Sequence, residues 1–135
     1  MLQSTQLSLA VQLPDDETFA SFYPGSNAQL ITTLKNAAIG EGVPLLYFWG
    51  CRGSGRSHLL HATCAEINGN GESAVYIPLD RHEQYSPDIL EGMERMPLLC
   101  LDNLDAMAGD RLWEESLFNL FNRWKETSRG SLIMS

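Results

Sequence analysis

The sequence predicts an α/β protein of three layers, in which a parallel sheet carries helices on both faces. Short apolar runs alternate along the chain with segments of helical periodicity, and this alternation is typical of parallel sheets. A glycine-rich stretch also lies between the first fully apolar run and the helical pattern that follows it. The 135 residues amount to about one domain.

Composition excludes several classes of function. Nine basic and 17 acidic residues give a net charge of −8, which opposes the phosphate contacts of a DNA-binding surface. We therefore expect no direct, sequence-specific DNA binding by this chain. No run approaches the ~18 apolar residues of a membrane span, so no membrane association is expected either.

Cysteine usage and the amino-terminal region indicate a cytoplasmic protein. Cys51, Cys64 and Cys100 are odd in number and lack C-x-x-C spacing, which favours a reducing compartment. The stretch from Met1 to Leu34 contains no Lys or Arg, so neither a signal peptide nor a transit peptide is predicted.

The chain divides into a tail, residues 1–14, and a domain, residues 15–135. From Thr5 to Pro14 apolar and polar residues alternate, which predicts an extended strand or a docking peptide. The first helix is predicted from Asn27 to Ile39. The run Leu45–Trp49 is apolar on both faces and predicts a strand buried inside the sheet; a helix from Gly55 to Ile67 follows it.

The same order repeats in the second half. Ala74–Ile77 is predicted as a strand, and Ser86 caps a predicted helix that runs to Met93. Leu98–Leu101 is the third strand, and Ser131–Met134 begins a fourth, central strand. Because the sequence ends within that strand, a fragment is expected, without the final strand and helical lid of a complete domain.

A long helix is predicted from Asp110 to Thr127. Its apolar residues recur at helical spacing and form one stripe: Trp113, Leu117, Leu120, Phe121 and Trp124. We expect its aromatic residues, Trp113, Phe118, Phe121 and Trp124, to pack in the core or against another helix.

The stretch from Gly50 to Ser57 matches the phosphate-binding loop G-x-x-x-x-G-K-[ST], with Arg56 in the lysine position. Glycines let backbone N–H groups turn towards phosphate oxygens, and the helix that begins here favours an anion. Arg56 would supply a cation to the terminal phosphates, although its planar guanidinium is not equivalent to a lysine ammonium. Ser57 would offer its hydroxyl to Mg²⁺.

A carboxylate follows the third apolar strand. Asp102 lies where phosphate-loop proteins hold Mg²⁺, often through water. The next residue is Asn103, whose amide cannot act as a general base. Asp105 could replace it, but a solvated or capping role is expected for that residue.

His58, His61 and Cys64 recur at three-residue steps on the helix after the loop. This spacing resembles one face of a metal site. The helix is largely apolar and no fourth ligand is evident, so buried packing residues are expected instead.

The run Gly53–Ala62 is closely similar to the phosphate loop and following helix of the DnaA-related AAA+ family of bacterial replication proteins. Phe22–Asn27 resembles the family's segment near the adenine pocket, and the stretches Gln6–Leu9 and Leu13–Phe22 most resemble its regulatory inactivators of DnaA. The resemblance extends from about Pro14 over the rest of the chain.

The resemblance implies a protein that binds ADP (or ATP) with Mg²⁺, docks on the DNA polymerase sliding clamp and stimulates hydrolysis of the ATP held by DnaA. It also implies that the arginine finger, the sensor residues and the lid follow the position of Ser135, so this stretch alone is not expected to inactivate DnaA. The clamp-binding peptide maps to Gln6, Leu7, Ser8 and Leu9, with Ala10 where a proline is often found. The candidate nucleotide-binding residues are Tyr23, Gly50, Arg52, Gly53, Ser54, Gly55, Arg56, Ser57 and His58, and the candidate Mg²⁺ ligands are Ser57 and Asp102.

Two other functions remain open at this point. One is an autonomous phosphate-loop ATPase or helicase-loader-like protein, in which Asp105 and Arg56 suffice for hydrolysis. The other is a clamp-tethered adaptor whose nucleotide pocket is vestigial. Arg56 and Asn103 favour a nucleotide-gated regulator with little hydrolysis of its own, and no catalytic residue is assigned.

Overall fold

The computed structural model describes residues 17–20, 28–40, 42, 44–48, 55–128 and 130–135. Within these residues the elements are, in chain order: α1, Ala28–Ala38; β1, Leu45–Tyr47; α2, Arg56–Gly69; β2, Ala74–Pro78; β3, Leu98–Asp102; α3, Arg111–Thr127; and β4, Ser131–Met134. Short 3₁₀ helices lie between β2 and β3, and another follows β3.

The four strands form one parallel sheet in the order β1-β4-β3-β2. Every residue of β3 and β4 is buried, as expected for strands covered by helices on both faces. One apolar cluster joins the sheet to α1 and α2, and a second joins it to α3 and the 3₁₀ segments. This confirms the predicted three-layer α/β fold with a parallel sheet and helices on both faces.

Helix α3 shows how the apolar stripe directs packing. Trp113, Leu117, Leu120 and Trp124 are buried, and the helix begins where the Asp110 carboxylate accepts a hydrogen bond from the backbone N–H of Trp113. Phe118 lies off this stripe and is 63% exposed. The prediction that Phe118 packs in the core is therefore wrong, because an aromatic residue is buried only where helical periodicity turns it inward.

The predicted helix from Ser86 to Met93 is also wrong. Ser86 does act as a cap, since its hydroxyl accepts from the backbone N–H of Asp88. The segment nevertheless forms two 3₁₀ turns, Pro87–Leu90 and Met93–Arg95. Gly92 stands between them at φ +79°, a left-handed conformation that ends a right-handed helix.

Strand β1 is less buried than its apolar sequence indicates. Leu45 and Leu46 are half-buried and Tyr47 is 50% exposed. Among the described strands, β1 pairs on one side only, with β4, which explains why full burial is not reached. Trp49, the last residue of the predicted strand, lies outside the described residues.

A close approach of two backbone segments leads into β4. A Cβ on Gly130 would lie 2.5 Å from the carbonyl oxygens of both Met96 and Pro97, so only glycine fits there. The carbonyl of Pro97 accepts from the N–H of Ser131 at 3.0 Å, which aligns the first residues of β3 and β4. No helix among the described residues is both long and apolar enough to cross a lipid bilayer.

Candidate functional site

The candidate site lies where the parallel strands end and α2 begins. Ligands of open α/β sheets bind at the carboxyl ends of the strands, beside a point where the strand order reverses. Here β4 and β3 end at Met134 and Asp102, and Ser57 in the first turn of α2 approaches the same edge. The folding of the sheet therefore brings together residues that are far apart in the chain.

Part of the predicted phosphate loop is described. Gly55 precedes α2 with φ +93°, a left-handed conformation open to glycine at little cost. Its carbonyl accepts the first helical hydrogen bond, from the N–H of Leu59 at 3.0 Å. The N–H groups of the first turn have no partner within the helix itself and carry partial positive charge, which suits an anion.

Several other predicted site residues lie outside the described residues. These are the loop residues Gly50, Arg52, Gly53 and Ser54, the adenine-pocket candidate Tyr23, and the clamp-peptide candidates Gln6, Leu7, Ser8 and Leu9. Their assignments stay predictions.

Ser57 and Asp102, the two predicted Mg²⁺ ligands, are in direct contact. The Ser57 hydroxyl donates to Oδ2 of Asp102 at 2.6 Å. Asp102 is fully buried at the last position of β3. The same Oδ2 accepts a second hydrogen bond from the hydroxyl of Tyr76 on β2.

The other carboxylate oxygen, Oδ1 of Asp102, is buried and makes no hydrogen bond to the described residues. A buried carboxylate oxygen without a partner is costly, and coordination of a cation would satisfy it. Mg²⁺ prefers hard oxygen ligands, one or two of them from carboxylates, and keeps several waters. Ser57 and Asp102 therefore fit such an ion chemically.

Arg56 points across the strand ends. Its Nη1 donates to the hydroxyl of Ser135, just beyond β4, at 3.2 Å. This hydrogen bond places a guanidinium on the same edge of the sheet as Ser57 and Asp102. A cation there can neutralise charge on an anion bound at the start of α2.

Both histidines of α2 contact groups of the segment before α1. Nε2 of His58 lies 2.8 Å from the carbonyl of Thr18, and Nδ1 of His61 pairs with the carboxylate of Glu17. Cys64 is buried, with its sulfur 3.6 Å from that of Cys100. In the described part of the chain no three His, Cys, Asp or Glu side chains are grouped to hold a metal.

Tyr76 is the residue of this site that sequence reasoning missed. Burial, the hydrogen bond to Asp102 and the charge of that carboxylate raise the pKa of the Tyr76 hydroxyl, so it acts as a donor at all ordinary pH values. The residue is 6% exposed. In sequence it is one apolar residue of a strand, and only the pairing of β2 with β3 brings it to Asp102.

Comparison with known proteins reveals the fold. The sequence matches no protein-family model. Among solved structures, AMPPCP-bound DnaA from Aquifex aeolicus aligns over 92% of this chain and 43% of its own, at 21% identity and TM-score 0.73. Domain III of DnaA from Thermotoga maritima aligns over 93% and 58%, at 22% identity and TM-score 0.72. The protein DnaI aligns over 99% and 74%, at 21% identity and TM-score 0.63. The fold is that of the AAA+ domain of DnaA and DnaI.

The structural match covers only part of each DnaA chain. The chain spans about two-fifths of the longer DnaA chains that it matches, 42% of a DnaA bound to AMPPCP and single-stranded DNA, and 58% of the domain III structure. Two of the matched DnaA structures carry the nucleotide analogue AMPPCP. In this chain Ser57 and Asp102 lie together at the carboxyl edge of the shared sheet.

Within this AAA+ fold, Asn103 has an unusual backbone. It is the one residue other than glycine with a positive φ in the described ranges, at +58°. Asparagine tolerates this region better than most residues, and the turn passes the chain from β3 into a 3₁₀ helix, Leu104–Met107. Asp105 in that helix is exposed, which agrees with the solvated role expected for it.

Proposed function

We propose that this protein is a nucleotide-bound regulator of replication initiation, related to DnaA and of the type represented by the DnaA regulatory inactivator Hda. The observation that carries the nucleotide-binding part is the contact between Ser57, the last residue of the phosphate-loop sequence, and Asp102 at the end of β3. The regulatory part is supported by the resemblance of the loop and the amino-terminal segments to that family.

The bound group is ADP or ATP with Mg²⁺. The backbone of Gly50, Gly53, Ser54 and Gly55 would hold phosphate oxygens beside the start of α2, and Arg56 would pair with the phosphates. Arg52, His58 and Tyr23 complete the proposed pocket. Mg²⁺, held by Ser57 and Asp102, would neutralise phosphate charge.

Little hydrolysis by the protein itself is expected. Arg56 stands where phosphate-loop ATPases have the lysine that contacts the phosphates, and the two side chains are not equivalent. The residue after Asp102 is Asn103, whose amide cannot act as a general base. The protein would instead act on ATP held by DnaA. An arginine supplied in trans to a partner's ATP stabilises the charge that develops on the transferred phosphoryl group.

Thermal unfolding with ADP tests nucleotide binding. At 100 times its dissociation constant, a ligand that binds only the folded state stabilises that state by ~2.7 kcal/mol. We expect a rise in Tm with ADP and Mg²⁺. The absence of a rise at millimolar ADP would contradict nucleotide binding and favour a clamp-tethered adaptor.

An autonomous ATPase or helicase-loader-like protein, in which Asp105 and Arg56 would suffice for hydrolysis, is the alternative function; the fold shared with DnaI does not separate it from the regulator. Steady-state phosphate release, measured on the whole protein without DnaA, distinguishes the two. Turnover near ~1 s⁻¹, within the range of ordinary enzymes, would support the ATPase and oppose the regulator.

The sliding clamp and DnaA are the proposed partners, in the cytoplasm, without direct sequence-specific DNA binding. The proposed clamp contact is Gln6–Leu9, since a peptide of alternating side chains can fill successive pockets of a groove. The combined change Gln6→Ala and Leu9→Ala should abolish retention on a clamp column and leave ADP affinity unchanged. The matched control, Gln12→Ala with Leu13→Ala, should be retained; equal retention of both variants would remove the assignment.

A further inference from the structure

Asp102 is held by a tyrosine from a neighbouring strand. Its Oδ2 accepts from both Tyr76 and Ser57, whereas its Oδ1 has no hydrogen-bond partner among the described residues. The two oxygens of one carboxylate are thus in unlike surroundings. Oδ2 has two protein donors, and the buried Oδ1 has none among the described residues.

We propose that Tyr76 is a positioning residue for Mg²⁺, whose hydroxyl anchors one oxygen of Asp102 so that the other is available to the cation. This inference rests on the proposed nucleotide-binding function, which it deepens. Hydrogen-bond partners that orient a metal-binding carboxylate typically contribute 10- to 100-fold to metal affinity, and Tyr76 is such a partner.

The surroundings of Tyr76 restrict its ring. The imidazole of His61 packs edge-on against it, with ring centroids 4.5 Å apart and an interplanar angle of 66°. His61 is itself fixed by Glu17. Because the ring packs on His61 of α2, its hydroxyl stays in contact with Asp102 of β3. A residue that positions a metal ligand needs such a fixed side chain.

The Mg²⁺ dependence of nucleotide binding tests this role. Binding of a fluorescent ADP analogue by the whole chain is titrated over a series of free Mg²⁺ concentrations, and again in EDTA. Tyr76→Phe removes the hydroxyl and keeps the ring that packs on His61. Tyr85→Phe, a half-buried tyrosine outside the site, is the matched control.

We expect Tyr76→Phe to raise by about tenfold the Mg²⁺ concentration at which the gain in nucleotide affinity is half-maximal. Its nucleotide affinity in EDTA should be unchanged. Tyr85→Phe should match the unmutated chain in both measurements. An equal loss of affinity with and without Mg²⁺ would mean that the tyrosine serves packing alone and would overturn the proposal. An unchanged Mg²⁺ dependence in Tyr76→Phe would overturn it as well and leave nucleotide binding intact. Failure of the unmutated chain to bind nucleotide at any Mg²⁺ concentration would overturn the proposed function, and this inference with it.

Discussion

The hydroxyl of Ser57 donates a 2.6 Å hydrogen bond to Oδ2 of Asp102, across 45 positions of sequence. This bond joins the start of α2 to the end of β3. Beneath it, buried side chains of the same apolar cluster, among them Leu60 on α2 and Leu98 on β3, keep the helix against the sheet. The separation of the Ser57 hydroxyl from the Asp102 carboxylate, the two proposed Mg²⁺ ligands, is therefore set by core packing and not by the loop alone.

Asp102→Asn should remove the Mg²⁺-dependent part of ADP binding. The amide keeps the shape of the side chain but loses the charge that a divalent cation requires. Isothermal titration with ADP, in Mg²⁺ and in EDTA, measures the difference. Asp105→Asn is the matched control, since that side chain is exposed and should leave both affinities unchanged; a similar loss in this control would contradict the role of Asp102.

Arg56→Ala should weaken ADP binding about tenfold, because a charge-assisted hydrogen bond contributes roughly 1.5–3 kcal/mol and part of this is replaced by water. Arg56→Lys should recover part of the affinity through its charge, but not the contact with the Ser135 hydroxyl. Equilibrium titration with a fluorescent ADP analogue provides the measurement. Arg81→Ala, which removes an exposed arginine, should bind as the unmutated protein does, and an Arg56→Ala variant with full affinity would exclude a phosphate contact.

Acid should weaken the contact between α3 and the 3₁₀ turns Pro87–Leu90 and Met93–Arg95. Arg123 donates to Oε1 of Glu94 at 2.9 Å, and to the carbonyl of Leu90 at 3.0 Å. Burial raises the pKa of Glu94, but the hydrogen bond and charge of Arg123 outweigh burial, so the net pKa is lowered. A carboxyl with a lowered folded-state pKa stabilises the fold fully above its unfolded pKa of about 4.3, and this stabilisation is lost as the pH falls through the folded-state pKa.

Glu94→Gln should therefore reduce the free energy of unfolding at pH 7 by about 1 kcal/mol and have little further effect in acid. Urea unfolding at a series of pH values from neutral to acid measures both quantities. Glu91→Gln, an exposed neighbour, serves as the control. An identical pH profile for Glu94→Gln and the unmutated protein would show that the ion pair contributes nothing.

Two substitutions on α3 separate burial from residue type. Leu120 is fully buried, and Phe118 is 63% exposed. Leu120→Ala should reduce the free energy of unfolding by about 2–5 kcal/mol through lost burial and a cavity. Phe118→Ala should change it by no more than about 0.5 kcal/mol. Denaturant unfolding decides the matter, and a large loss in Phe118→Ala would contradict the packing described for this helix.

Most of the fold could be predicted because local pattern and tertiary packing agree. The apolar run at Leu98–Leu101 and the stripe along α3 each correspond to one element of the sheet or of its covering layer. Phe118 was misplaced because residue type was given more weight than helical phase. The helix predicted after Ser86 was wrong because a correct start does not ensure a continuation, and Gly92 breaks the backbone.

Some residues of the candidate site could be predicted from the sequence and others could not. Ser57 and Asp102 could be predicted as neighbours, because a phosphate-loop sequence and a strand-end carboxylate imply one edge of a parallel sheet. Tyr76 could not, since its contact with Asp102 spans 26 positions and depends on the register of β2 against β3. Contacts between Glu17 and His61 likewise arise only when the segment before α1 lies on α2.

The fully buried carboxylate at the end of β3 also has an evolutionary meaning. A chain selected for thermostability alone would replace Asp102 and Tyr76 together, because Oδ1 has no hydrogen-bond partner among the described residues and loss of the carboxylate alone would leave the buried Tyr76 hydroxyl without its acceptor. Retention of this acid in a stabilised descendant would therefore mark a functional constraint, whereas its loss together with Tyr76 would mark selection for stability alone.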